Sequence, residues 1–289
     1  MISIEPAIQV NWDWRAAGNF ICGGTGAGLM AIAACGAWTG MPGLELVALA
    51  AVGIVGLGLG LVWLEIGRPW RFLNVLRNPA TSWMSREAWA AVGFMPAGVL
   101  AALTGSAVVT SIAAAAGLFF LLCQAQMLRA ARGIPAWRDA AIVPLVAVTG
   151  LTEGVGLMIA AAAFTHHQPQ WLSITALIMV LWRTVLVLVY GARLRRRKAP
   201  DAVVNRLKPM TMSAAVVGGV IPALLLVGAI PLGVETASAL AGLIAAATGW
   251  HLKYTVVRSL AFTQGFAIER SPARGAATAG PGTRPGWSR

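Results

Sequence analysis

The sequence predicts an all-α, polytopic membrane protein of eight transmembrane helices, and three observations carry that prediction. The chain of 289 residues is 58% hydrophobic and only 11% charged, where a soluble domain carries roughly 25% charged residues. Its apolar residues fall into runs long enough to cross a bilayer, which takes about 20 residues per helix. Its charges are gathered into the connections between those runs. A surface so poor in polar groups cannot be hydrated all round, so lipid has to be part of the solvent.

The elements follow in order. Residues 1–16 read as an interfacial lead with Trp12 and Trp14, and no cleavable signal is expected there, because no basic stretch precedes an apolar core. The first helix is expected over 17–38 and contains GGTGAG at 23–28. A dinucleotide loop needs a strand before such a run; inside an apolar span Gly24 and Gly28 read as small residues that let another helix approach closely. The second helix is expected over 44–64, the third over 88–104, and Thr104–Gly105–Ser106 turns into a fourth over 107–128. The fifth is expected over 139–163 with Glu153, the sixth over 170–190 with Arg183, the seventh over 210–230 with a kink at Pro222, and the eighth over 236–260 with His251, Lys253, Tyr254 and Arg258. Ser271 onward lacks apolar periodicity, and 263–289 is expected to be a largely disordered cytoplasmic tail behind a membrane domain of 17–262.

The net charge of +12 reads as topology, not as nucleic-acid affinity. Nineteen lysines and arginines fall in the segments on the side of both termini, and none in the connections opposite. The positive-inside rule then predicts an inner-membrane protein with both termini cytoplasmic. Cys22, Cys35 and Cys123 are isolated, so they cannot supply the four thiolates of an iron–sulfur cluster. Only His166, His167 and His251 are available as haem ligands, and the first two fall in a turn. Neither haem nor any other metal is expected in this chain.

Ionisable residues inside spans are costly and point to function by default. Glu153 and Arg183 read either as an ion pair joining two helices or as part of a proton route. Lys253 and Arg258 read first as structural ion-pair residues, shallow enough to reach the headgroups along their aliphatic stems. The richest stretch is EIGRPWRFLNVLRNPATSWMSREAW, residues 65–89. Trp70, Phe72, Leu73, Val75 and Leu76 with Arg71 and Arg77 fit a short helix lying in the interface. Ser85 is expected to cap the third helix, with Glu87 in its first turn complementing the helix dipole. The alternative for Glu87 is a carboxylate that exchanges protons with a quinone.

The stretch GRPWRFLNVLRNPATSWMSREAW resembles the segment between helices two and three of the DmsC/NrfD/PsrC membrane anchors. That resemblance implies an NrfD/DmsC-like bundle acting as the quinone-reactive subunit of a molybdoenzyme of the dimethyl-sulfoxide-reductase class, of the kind used in anaerobic respiration. It implies a quinone, menaquinone or ubiquinone, as the cofactor here. Molybdenum bis-guanine-dinucleotide and four [4Fe–4S] clusters would sit in a catalytic and an iron–sulfur partner, so the chain would not be catalytic alone. It places the quinol-linked glutamate on Glu87, and Arg68, Pro69, Asn74 and Ser85 also fit the pattern. Beside what the resemblance implies, Trp70, Trp83, Asn19, Arg183 and His251 are expected to join them around the quinone. WDWRAAGNFICGGTGAG and LAFTQGFAIERSPARG look nearer the phenylacetyl-CoA:acceptor oxidoreductase type, with the sulfite dehydrogenase type as the other candidate. The rival reading is a secondary transporter with a midplane site at Glu153 and Arg183.

Overall fold

The computed structural model describes residues 2–66, 69–268 and 284–285. Their order is β1 (Ile2–Ile4), α1 (Trp14–Trp38), α2 (Leu44–Glu65), a 3-10 helix (Pro69–Arg77), α3 (Trp83–Thr104), α4 (Ala107–Ala130), a short α5 (Pro135–Arg138), α6 (Ile142–Phe164) and α7 (Gln170–Arg196). Then come α8 (Asp201–Ala215), a π-helical turn (Val216–Val220), α9 (Ile221–Leu232), α10 (Glu235–Tyr254), a second π-helical turn (Thr255–Ser259), β2 (Phe266–Ile268) and β3 (Arg284–Pro285). Apart from one small ribbon, in which β1 and β3 both pair antiparallel with β2, the fold is all-α.

Seven helices among the described residues are long and apolar enough to cross a bilayer, α8 and α9 counting as one continuous piece, Asp201–Leu232. The remaining long helix, α10, carries Glu235, His251 and Lys253. Leucines on the outer faces, such as Leu46, Leu103 and Leu232, are largely bare, as side chains that meet lipid should be. The interior is organised on α1 and α6: 72% of the most apolar window of each is buried, against 28% in α2. Glycine makes that contact possible. A Cβ at Gly28 would run into the Gly150 carbonyl, one at Gly154 into the Gly28 backbone, and one at Gly156 into Gly242 on α10. Gly24 and Gly28 are therefore both the close-packing residues expected: a Cβ at Gly150 would meet the Gly24 carbonyl, and Gly24 also leaves room for the Lys253 ammonium.

Several boundaries differ from expectation, each for a local reason. The third helix begins at Trp83, not 88, because extended Ser82 caps it by accepting from the Ser85 N–H. Ser85 therefore lies inside the helix, and Glu87 two residues further in, past the first-turn position. The lead is extended up to Asp13, which caps α1 through the Arg15 N–H, so the helix starts at Trp14. Hydrogen bonds from Arg15 hold the Asp13 carboxyl below its ordinary range. The polar stretch expected to link helices six and seven is mostly helical, α7 running to Arg196 and α8 starting at Asp201. The interruption expected at Pro222 takes the form of the π-helical turn Val216–Val220 just ahead of it, between α8 and α9. Of the tail, 269–283 and 286–289 lie outside the described residues.

Candidate functional site

The 65–89 stretch builds a wall. Its 3-10 helix is tied to α3 by Trp89 Nε1 donating to the Leu76 carbonyl, 3.0 Å. Arg86 holds the following turn by donating to the Pro79 and Ala80 carbonyls, each at 2.7 Å, and lies 4.2 Å over the Trp83 ring. On the other side, Arg15 donates to the Leu64 carbonyl at the end of α2. Arg86 and Trp89, two of the residues that made the sequence conspicuous, thus hold the backbone of this connection in place.

Behind the wall lies a cavity of about 860 Å³ between α1, α2, α3 and the 3-10 helix, lined by Leu59, Trp63, Phe72, Leu76, Ala91 and Met95 among others. Asn19 and Glu87 both face it. Glu87 is only 6% exposed and accepts one hydrogen bond, from Asn19 Nδ2 at 3.2 Å. Gln124 Nε2 donates to the Asn19 backbone carbonyl at 3.0 Å and fixes that turn of α1 against α4. Among the described residues no cation lies within ion-pair distance of Glu87. Trp12 completes the lining, stacked on Trp137 with ring centres 5.0 Å apart. Its backbone carbonyl accepts from Arg258 Nη1, so Arg258 anchors the N-terminal strap to the end of α10.

The other expected site residues fall elsewhere. Arg68 lies outside the described residues. Trp70 is 88% exposed and Asn74 is exposed on the outer side of the 3-10 helix. Trp83 and Ser85 belong to the start of α3 and do not line the cavity. His251 is exposed on α10, and Arg183 is buried and not among the residues that line the cavity.

Arg183 does not pair with Glu153. Its Nη1 donates to the Ala245 carbonyl at 2.5 Å, and its Nη2 to the Gly218 carbonyl at 2.5 Å and to Thr248 Oγ1. Gly218 is four residues before Pro222, whose missing N–H leaves that carbonyl without its usual helical donor. The partner of Glu153 is Lys253, at 2.6 Å, and Lys253 is 1% exposed, so it does not extend to the headgroups. The burial of Lys253 was missed because its place near the end of an apolar run made it look shallow. The available signal was Gly24, a bare position on α1 where a long side chain from a neighbour can fit.

Outside the spans, Asp139 is buried between α5 and α6, where it accepts from the Ala141 N–H and from Arg193 Nε at 2.8 Å, with Arg197 at 3.3 Å. Burial alone would raise its pKa, but these hydrogen bonds and the two guanidinium charges outweigh it and hold the carboxyl below its ordinary value.

Residues 3–107 match the family model described as Polysulphide reductase, NrfD. That match supports a membrane subunit of the NrfD/DmsC/PsrC type, and with it a role in a redox complex. No curated protein matches the chain. Every cavity-lining residue but Met127 lies within the matched stretch.

Proposed function

We propose that the cavity binds a quinone and that the chain passes electrons between that quinone and a partner subunit at the basic end of the bundle. The observation that carries this reading is one buried carboxylate, Glu87, facing an apolar cavity of about 860 Å³. Pockets for drug-sized ligands span about 300–1,000 Å³ and combine apolar walls with a few polar groups. Reducing a quinone takes two electrons and two protons. Glu87 is the group at hand to exchange a proton with a quinone oxygen, and Asn19 Nδ2 is the group to orient the carboxylate.

In this reading the chain is the membrane anchor of a heterotrimeric molybdoenzyme, nearest the phenylacetyl-CoA:acceptor type. [4Fe–4S] clusters and the molybdenum cofactor belong to the two partners. Helix α10 is the eighth span, and both termini are cytoplasmic, with the exposed arginines and lysines of 128–139 and 191–209 meeting the partner. The transporter alternative centred on Glu153 and Arg183 is the weaker one. The NrfD match and the open cavity coincide at Glu87, and Arg183 is engaged by helix carbonyls.

Photolabelling of the membrane-embedded chain with an azido-quinone tests the site. The label is expected on peptides from α2, the 3-10 helix or α3, and filling the cavity with Ala88→Trp is expected to abolish it. Labelling that persists in Ala88→Trp, or that falls elsewhere, would overturn the site. Purification from native membranes with two partners, molybdenum and iron is the expected result for the complex. A metal-free single chain would remove the anchor assignment.

A further inference from the structure

A second cluster of charges lies in the bundle, apart from the cavity, where α1, α6, α7 and α10 meet. Glu153 is fully buried and Lys253 and Arg183 are each 1% exposed. Lys253 Nζ donates to Glu153 Oε2 at 2.6 Å, the Thr25 hydroxyl donates to the same oxygen at 2.7 Å, and Trp250 Nε1 donates to Thr25 Oγ1 at 3.0 Å. Glu153 Oε1 has no hydrogen-bond donor among the described residues. A Cβ at Gly249 would stand 2.7 Å from that oxygen and 3.1 Å from Arg183 Nη1, so carboxylate and guanidinium crowd the same bare stretch of α10. The charged or titratable groups acting on Lys253 are Glu153 from α6, Cys22 from α1 and Arg183 from α7.

Counting charges gives the consequence. With all three groups ionised the cluster carries one positive charge too many, and an uncompensated charge in an apolar interior is expensive. Arginine does not give up its proton in proteins. Electroneutrality returns when the ammonium–carboxylate pair loses one proton, leaving a neutral amine, a carboxylate and the guanidinium. We propose that Lys253, held by Glu153, is a buried proton-exchange site, distinct from the cavity at Glu87, that stores and releases one proton. The proton leaves Nζ by way of the Glu153 carboxylate, the nearest acceptor, for water outside the cluster, and returns the same way, so Glu153 is a carboxylate in both end states; no electron moves and no other bond is made or broken. Helix α1 joins the two sites: Thr25 is six residues from Asn19, about 9 Å along the axis. The ordinary alternative is a permanent ion pair that only fixes helices.

The chain has just three lysines, and Lys198 and Lys208 are exposed, so the test reads each directly. The full-length protein is labelled with ¹⁵Nζ-lysine, placed in lipid nanodiscs and titrated by NMR. Lys198→Arg and Lys208→Arg assign the exposed signals and leave Lys253 untouched. The expected result is that the Lys253 nitrogen changes from ammonium to amine over a pH range in which both exposed lysines remain ammonium. Glu153→Gln is expected to move that change further. A Lys253 signal that stays ammonium as long as Lys198 and Lys208, or one indifferent to Glu153→Gln, would overturn the proposal. No quinone enters the experiment, so its outcome is separate from the reading of the Glu87 cavity.

Discussion

Glu87 and Glu153 are both buried carboxylates in helices of this bundle, and they are handled in opposite ways. Glu153 faces a lysine at 2.6 Å and takes a second hydrogen bond from Thr25. Glu87 faces a cavity and takes one hydrogen bond, from a neutral amide. A carboxylate closed off from ligand has its charge answered by the protein, while one open to a cavity is left for a ligand to answer. Burial by itself therefore says little about role; what each oxygen meets says more.

The comparison can be broken at its shared support. Gly154→Leu would force α6 off α1, the helix that carries residues of both sites, and we expect no monodisperse protein on size-exclusion chromatography. Gly53→Leu, at a glycine with open space around it, is expected to purify normally. Next in size is Glu153→Ala, which strands a buried ammonium; removing one partner of a buried pair costs about 3–5 kcal/mol. Thermal unfolding should show that loss, and Glu153→Gln combined with Lys253→Met should recover most of it. Equal damage from the single and double variants would mean that packing, not charge, holds this region.

Glu87→Gln separates the two carboxylates most directly. With no ion pair to lose, stability is expected to change by no more than about 1 kcal/mol. Quinone-linked turnover of the intact complex should fall about 100-fold if Glu87 acts as a general acid or base. A smaller effect is expected from Asp139→Asn, a loss of about 1–2 kcal/mol at neutral pH. Because the folded Asp139 carboxyl titrates below its ordinary value, its contribution is complete above the unfolded value near about 3.9 and disappears as pH falls through the folded one. The wild type and Asp139→Asn should therefore converge in acid unfolding curves, and curves that stay parallel would remove the ionic contribution. Trp70→Ala comes last, with a stability change of about 0.5 kcal/mol or less. Its ring is 88% exposed, so any large effect in the complex would assign it to a partner contact.

The 65–89 stretch shows how legible the site was. Its density of arginine and tryptophan marked the connection that walls the cavity, and Asn19 and Glu87 do come together there. Trp83 and Ser85 were grouped with them by nearness in sequence, yet they serve the start of the helix. Ser85 stands about 200° round the helix from Glu87, on another side; Trp83, one turn earlier, shares the face of Glu87 but lies in the first turn, where its ring meets the Arg86 guanidinium and not the cavity. Lys253 was undervalued for the matching reason: depth was read from distance along one helix, while burial comes from what the neighbouring helices place around it.

By itself the sequence determined the solvent and the elements. Too few polar residues for a hydrated surface demand lipid, and long apolar runs with charges gathered between them allow only helices to satisfy the backbone there. It also determined that Gly28 would be a close contact, since only a bare backbone permits one. The tertiary structure alone decided the pairings. Glu153 meets Lys253 and not Arg183 because α10 crosses α6 on glycines at 156 and 242. Arg183 turns to the Gly218 carbonyl that Pro222 leaves without a donor. Those partners lie from 35 to 100 residues apart in the chain, and no periodicity read along one helix carries the angle at which another will cross it.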